Sequence, residues 1–155
     1  CEQAVKDRQV FGVAMLDIDH FKDWNDTFGH HVGDQCLVAL ADILKGQTDD
    51  SQWAFRYGGD EFMLLFYNLP EEEIIRRTKQ IQEQMLAEGR KLGLESLTVS
   101  IGIANWMPRK GNRIWDYTST ADQALYEAKK AGRNRVLLVH GSHELNKKKE
   151  GTIAC

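Results

Sequence analysis

Apolar residues recur along this chain in two rhythms. Residues 10–16 form a nearly unbroken apolar run, as a central strand covered on both faces would, and the run stops at Asp17, Ile18 and Asp19. A polar stretch with Gly29 and Gly33 follows and reads as a loop with a short helical turn. From about Asp34 the period lengthens: Leu37, Leu40, Ala41 and Leu44 share one helical face, with Gly46 as the stop. Residues 53–57 and 61–67 read as strands joined by a tight turn through Gly58 and Gly59, a hairpin. Asn68, Pro70 and three glutamates (Glu71, Glu72, Glu73) open a second long helix, with acids where the helix dipole favours them. Ile74, Thr78, Ile81 and Met85 line it. Leu97, Val99, Ile101 and Ile103 alternate with small residues as a strand. Ala121, Ala124, Leu125 and Ala128 mark a third helix ending near Gly132, and residues 136–139 close the chain as a strand.

The order strand, helix, hairpin, helix, strand, helix, strand contains a split β-α-β core. It predicts an α+β fold, ferredoxin-like or palm-like, with helices packed on a central, mostly antiparallel sheet. A right-handed crossover makes the first two strands parallel and slots the third antiparallel between them. The end of the first strand and the hairpin turn then lie side by side. Asp17 and the pair Asp60 and Glu61, far apart in sequence, become neighbours.

Composition narrows the classes. With 155 residues, 42% hydrophobic and 28% charged, the chain is expected to be one soluble domain without internal repeats. A formal charge of −3 offers no footprint for a nucleic-acid backbone, so no nucleic-acid partner is expected. No run reaches the ~18 apolar residues of a membrane span. The chain opens on Cys1, so residues 1–9 read as the lead-in from a longer parent protein. Any sensor or membrane attachment would belong to that upstream segment. The three cysteines lack metal-ligand spacing, and Cys36 falls in the helical pattern as a small buried hydrophobe, consistent with a reducing, cytoplasmic setting. Residues 141–155 read as a solvated, disordered tail, Lys147, Lys148 and Lys149 included.

Three carboxylates at one sheet edge raise one another's pKa unless a cation compensates them. Hard divalent ions take oxygen ligands, and Mg²⁺ typically takes one or two carboxylates plus substrate phosphates. Asp17, Asp60 and Glu61 therefore point to a Mg²⁺ site for a nucleoside triphosphate, where two ions could serve the attacking and leaving oxygens. The plainer alternative is an exposed acidic turn. Gly58 and Gly59 would let a bulky ligand approach the backbone. Lys129 and Arg133, four apart on one helix face, could grip phosphates or simply form a solvated basic face. Lys22, Asn25, His30 and Asp34 are polar groups that a base and phosphates could use. Taken singly, each is as well explained as a cap or surface residue, Asp34 among them.

Four co-linear blocks decide between these readings: MLDIDHFKDWNDTFGHHVGD, FRYGGDEF, TVSIGIA and ADQALYEAKKAGRNRV. Together they resemble the GGDEF family of diguanylate cyclases, from about residue 10 to 139. The resemblance implies a nucleotide cyclase-type palm over residues 10–140. It implies a nucleotidyltransferase that condenses two GTP into cyclic di-GMP and two pyrophosphates, across a transient homodimer. By position, Asp17, the main-chain carbonyl of Ile18, Asp60 and Glu61 match the surroundings of two Mg²⁺ ions, with Mn²⁺ as a substitute. Asp60, Glu61 and Lys22 match the catalytic groups. Asn25 and Asp34 match the guanine contacts and His30 the same pocket; backbone groups at His20 and Phe21, with Lys22, Lys129 and Arg133, match phosphate contacts. Asp34, able to accept from both N1–H and the N2 amine of guanine, favours GTP over ATP.

One departure stands out. Where many family members carry an inhibitory Arg-x-x-Asp, this chain has Asp49, Asp50, Ser51 and Gln52, so no inhibitory product site is expected. The readings from other classes are a catalytically silent GGDEF module that binds GTP or a protein partner, and a cyclase with a different dinucleotide product.

Overall fold

The computed structural model of the chain describes residues 2–141. In order they form α1 (Glu2–Asp7), β1 (Phe11–Ile18), α2 (Phe21–Phe28), α3 (His30–Gln47), β2 (Gln52–Arg56) and β3 (Glu61–Tyr67), then α4 (Glu71–Lys91), β4 (Val99–Trp106), α5 (Ile114–Lys130) and β5 (Val136–Val139). The strands make a single sheet in the order β2-β3-β1-β4-β5. Neighbours pair antiparallel except β4 with β5. β3 therefore lies antiparallel between β1 and β2, as the split β-α-β reading requires.

β1 is buried along its whole length because both faces of the sheet are covered there. On one face, Ala14, Leu16 and Ile18 pack with Phe62, Leu64 and Phe66 of β3 under Leu40 and Leu44 of α3 and Ile81 and Met85 of α4. On the other, Phe11, Val13 and Met15 meet Tyr117, Ala121 and Leu125 of α5, together with Ala4 of α1. Gly102 of β4 sets the depth of α5: a Cβ at that position would collide with the helix backbone at Ala121 and Leu125. The helix thus lies almost against the strand, and that closeness governs what its last turn can reach.

Several boundaries differ from the sequence reading. The polar stretch after β1 is a true helix, α2, whose Phe21, Trp24 and Phe28 repeat at helical spacing amid polar residues. Phe21 and Trp24 pack on the main core, and the Trp24 and Phe28 rings lie 5.8 Å apart. Gly29, at φ 86°, makes the break between α2 and α3. α3 consequently begins at His30, and Gly33 belongs to the helix instead of the loop. Gly46 does not stop that helix, which runs to Gln47. Leu97 is buried just ahead of β4 and lies outside the strand. Residues 2–7, read as a lead-in, form α1, held by a 2.6 Å bond from the Tyr67 hydroxyl to Asp7 Oδ2. Cys36 is buried and unpaired in the core, as its helical position predicts. The tail from residue 142 lies outside the described residues.

Candidate active site

The register places Asp17 directly opposite Glu61 on β3 and Ser100 on β4. Asp60 precedes Glu61 at the end of the hairpin loop. Cross-strand partners project from the same face, so two carboxylates meet where like charges repel. Residues 13, 15 and 17 alternate onto the face covered by α5. The α5 stripe Tyr117, Ala121, Leu125 continues at the same spacing to Lys129, whose Nζ lies 2.8 Å from Asp17 Oδ2. Burial pushes the Asp17 carboxyl up to about 6; Lys129 opposes the rise, while Asp60 and Glu61 add to it.

Lys129, read as a phosphate contact, is thus the counter-charge of the acid read as a metal ligand. The reason is electrostatic: a carboxylate only 7% exposed and beside two other acids needs a cation. Among the described residues, no three His, Cys, Asp or Glu side chains converge closely enough to hold a metal ion as they stand. The donor chemistry nevertheless suits one. Asp17, Asp60, Glu61 and the Ile18 carbonyl offer the oxygen ligands that a hard divalent cation selects.

The hairpin loop is tied down by its own neighbours. Tyr57 and Gly58 donate their amides to the Glu61 carbonyl at 2.9 and 3.2 Å. Arg56 donates from Nε and an Nη to the Gly59 carbonyl at 3.1 and 2.6 Å. Gly58 and Gly59 are absent from the positive-φ glycines, and a Cβ at Gly59 would meet nothing within 4 Å. The fold itself does not require glycine at position 59. The apolar groove of about 410 Å³ between α3 and β2, lined by Leu37, Val38, Leu44 and Phe55 among others, contains none of the three acids.

Beyond β1, His20 adopts φ 59° and opens α2, whose first amides have no acceptor within the helix. Its Nδ1 lies 3.0 Å from Asp23 Oδ2. Phe21 is half-buried and Lys22 exposed on the first turn. Asn25, one turn further, nests against α3 where Gly33 lacks a side chain; a Cβ there would strike its amide group. That contact sets Asn25 beside the residue preceding Asp34, which is exposed, as is His30 at the start of α3. Arg133 lies beyond the end of α5, exposed in the following turn at φ 62°, so it does not share a helix face with Lys129 as the spacing of four suggests.

Two sets of residues escaped the sequence reading. Arg56 fixes the hairpin loop, and its signal was the spacing of three to Gly59. Asp19, the second acid of the Asp-Ile-Asp run, is buried and bonded to Thr98, Ser100 and Asn134. At residues 49–52, Asp49 has its partners within the fold. Asp49 accepts from Ser51 at 2.6 and 2.8 Å and from Arg77 at 2.8 Å. Arg77 also pairs with Glu73 at 2.7 Å. The Ser51 bonds, then Arg77, hold the Asp49 carboxyl down to about 2.

Comparison with known proteins completes the picture. The model of the family described as diguanylate cyclase, GGDEF domain, matches residues 1–135. Diguanylate cyclase A of Treponema denticola is 36% identical over 138 residues, covering 84% of this chain and 36% of its own length. A probable diguanylate cyclase, DgcC, of Escherichia coli is 40% identical over 129 residues, covering 79% of this chain and 33% of its own. The chain thus spans about a third of the length of these relatives. Among solved structures, the active GGEEF domain of a diguanylate cyclase from Vibrio cholerae superposes with a TM-score of 0.80 at 31% identity, over 88% of this chain and 87% of that one. The GGDEF domain of DgcB from Caulobacter crescentus, in complex with c-di-GMP, gives 0.79 at 32%, over 89% and 82%. Alike in sequence and in backbone to these proteins, the chain belongs to the GGDEF-domain family.

Proposed function

We propose that this domain is a diguanylate cyclase, condensing two GTP into cyclic di-GMP and two pyrophosphates across a homodimer. The observation that carries the reading is the register of Asp17 against Glu61, with Asp60 one residue away, in a chain of this family. In each half-reaction the 3′-oxygen of one GTP forms a bond to the α-phosphorus of the other. The bond from that phosphorus to the bridging oxygen breaks, pyrophosphate leaves with the electron pair, and the hydroxyl proton passes to a base. Repeating the step with the roles exchanged closes the ring.

Little covalent work falls to the protein; positioning and charge neutralisation carry the catalysis. Asp17, the Ile18 carbonyl, Asp60 and Glu61 would hold Mg²⁺, which when bound neutralises phosphate charge and polarises the reacting oxygens. Asp60 is the group assigned to the hydroxyl proton. Asn25 and Asp34 hold guanine, with His30 in the same pocket, and the Asn25–Gly33 nesting supports that assignment. The amides near His20 and Phe21, with Lys22 and Arg133, face the phosphates. Lys129 offers its ammonium to a phosphate once Asp17 has another counter-charge. The space beside Gly59, which the fold leaves open, suits close approach of the nucleotide to Gly58 and Gly59.

The product does not dock at residues 49–52, because Asp49 repels phosphate and the nearby Arg77 is already engaged by Asp49 and Glu73. The test is incubation of the chain at high concentration with GTP and Mg²⁺, followed by chromatography. Cyclic di-GMP is the expected product. GTP bound but unchanged would mark a silent module, and a mixed dinucleotide from GTP plus ATP would overturn the assignment of Asp34.

A further inference from the structure

Asp19 stands two residues beyond Asp17 and behaves differently. Its side chain is buried, the residue being 1% exposed, so it does not reach a ligand. The carboxylate accepts from Ser100 Oγ at 2.7 Å, Thr98 Oγ1 at 2.8 Å and the Asn134 amide at 3.0 Å. Its own amide donates to the Thr98 carbonyl at 2.9 Å, and its carbonyl accepts from Trp24 Nε1 at 3.0 Å. One residue therefore joins the end of β1, the entry to β4, the helix α2 and the turn between α5 and β5.

A buried carboxylate is tolerated only when its lone pairs are filled, which explains why donors surround it. It does not explain why they come from these segments. Two of the joined segments share a property. His20, the next residue, has φ 59°, and Arg133 and Asn134 have φ 62° and 46°. Non-glycine residues hold this left-handed conformation only where the surroundings impose it. Asp19 grips both turns, one through its chain and one through its carboxylate. The first turn presents the free amides that open α2; the second carries Arg133. Gln82 adds a second hold on the latter, donating to the Val99 carbonyl at 3.0 Å and to Asn134 Oδ1 at 3.4 Å.

We infer that Asp19 is a positioning residue for the triphosphate, fixing the distance between the amides at His20–Phe21 and the Arg133 guanidinium. The inference rests on the nucleotide reading above and adds a residue that acts through others. The base is held elsewhere, at Asn25 and Asp34, so Asp19 governs the affinity contributed by the β- and γ-phosphates and not that contributed by guanine.

Calorimetry of GTP and of GMP binding in Mg²⁺, on the whole chain, separates the two contributions. In Asp19→Ala the preference for GTP over GMP falls by about tenfold or more, as loss of oriented charge-assisted contacts implies, while GMP affinity holds within about threefold. Asp19→Asn restores the preference: its oxygen can accept from Thr98 and Asn134, and its amide can donate to a Ser100 hydroxyl turned to receive it. A parallel loss of GTP and GMP binding, or an unchanged preference, would overturn the inference. If the wild type itself shows no preference for GTP, the nucleotide reading fails first. Should Asp19→Ala not fold, Asp19→Ser, which removes the carboxylate but keeps a polar group in the buried site, takes its place. The same fall in preference is expected from it, and its absence would count equally against the inference.

Discussion

Burial pushes the Asp17 carboxyl up from the ordinary 3.8 to about 6, a rise that Lys129 only partly offsets. The folded state therefore binds this proton more tightly than the unfolded chain does. Stability falls as pH rises from about 4 to about 6, by on the order of 3 kcal/mol from this group. Asp17→Asn should accordingly stabilise the ligand-free fold at neutral pH by about 1–2 kcal/mol, less than the full amount because Lys129 loses its partner, and gain nothing near pH 4. Urea unfolding at the two pH values checks this; an equal effect at both would show that the cost is not electrostatic. At Asp34, replacement by Ser removes the paired acceptor for the guanine donors. GTP-over-ATP selectivity should drop by about tenfold or more, since the site no longer penalises a base lacking those donors. Unchanged selectivity in competition assays would remove Asp34 from base recognition.

At the scale of elements, the site depends on how closely helices approach one another and the sheet. Gly33→Ala places a methyl where the Asn25 side chain lies. The variant should lose about 1–3 kcal/mol of stability by overpacking, and its KM for GTP should rise with kcat little changed, because Asn25 moves with α2. A wild-type KM would show that the nesting has no bearing on the nucleotide. These elements were unequally legible. β1 announced itself because a strand covered on both faces reads as one apolar run. The hairpin was legible because two apolar segments flank a Gly-Gly turn. α2 was not, because only Phe21, Trp24 and Phe28 carry its period and polar residues between them mimic a loop. Gly33 misled for a related reason: a glycine required for helix–helix contact looks, in sequence, like a turn. α1 offers a single buried apolar side chain, Ala4, too little for any period to show.

For the whole molecule, the crossover rule brought Asp17 to Glu61 from distant segments, and the register confirms that juxtaposition. What the rule could not supply was the cation present: the Lys129 contact depends on how closely α5 lies on Gly102, which is a matter of depth and not of order. The same limit hid Asp19, whose partners are drawn from β4 and a turn over a hundred residues away in sequence. If two subunits complete one reaction, specific activity should climb with protein concentration through the dimerisation range. Turnover should also be insensitive to added cyclic di-GMP at levels that leave the active site free. Activity independent of concentration would contradict the shared site, and inhibition abolished by substitution at residues 49–52 would contradict the closed product site.

Under the proposed function, acids from β1 and the hairpin tip hold magnesium for a triphosphate. The most direct test of this is a calorimetric titration of GTP with and without Mg²⁺, in the wild type and in Asp60→Ala. Mg²⁺ should tighten GTP binding by at least about tenfold in the wild type, and Asp60→Ala should lose this gain while staying folded. Equal GTP affinity with and without the metal, or a gain that survives in Asp60→Ala, would contradict that function.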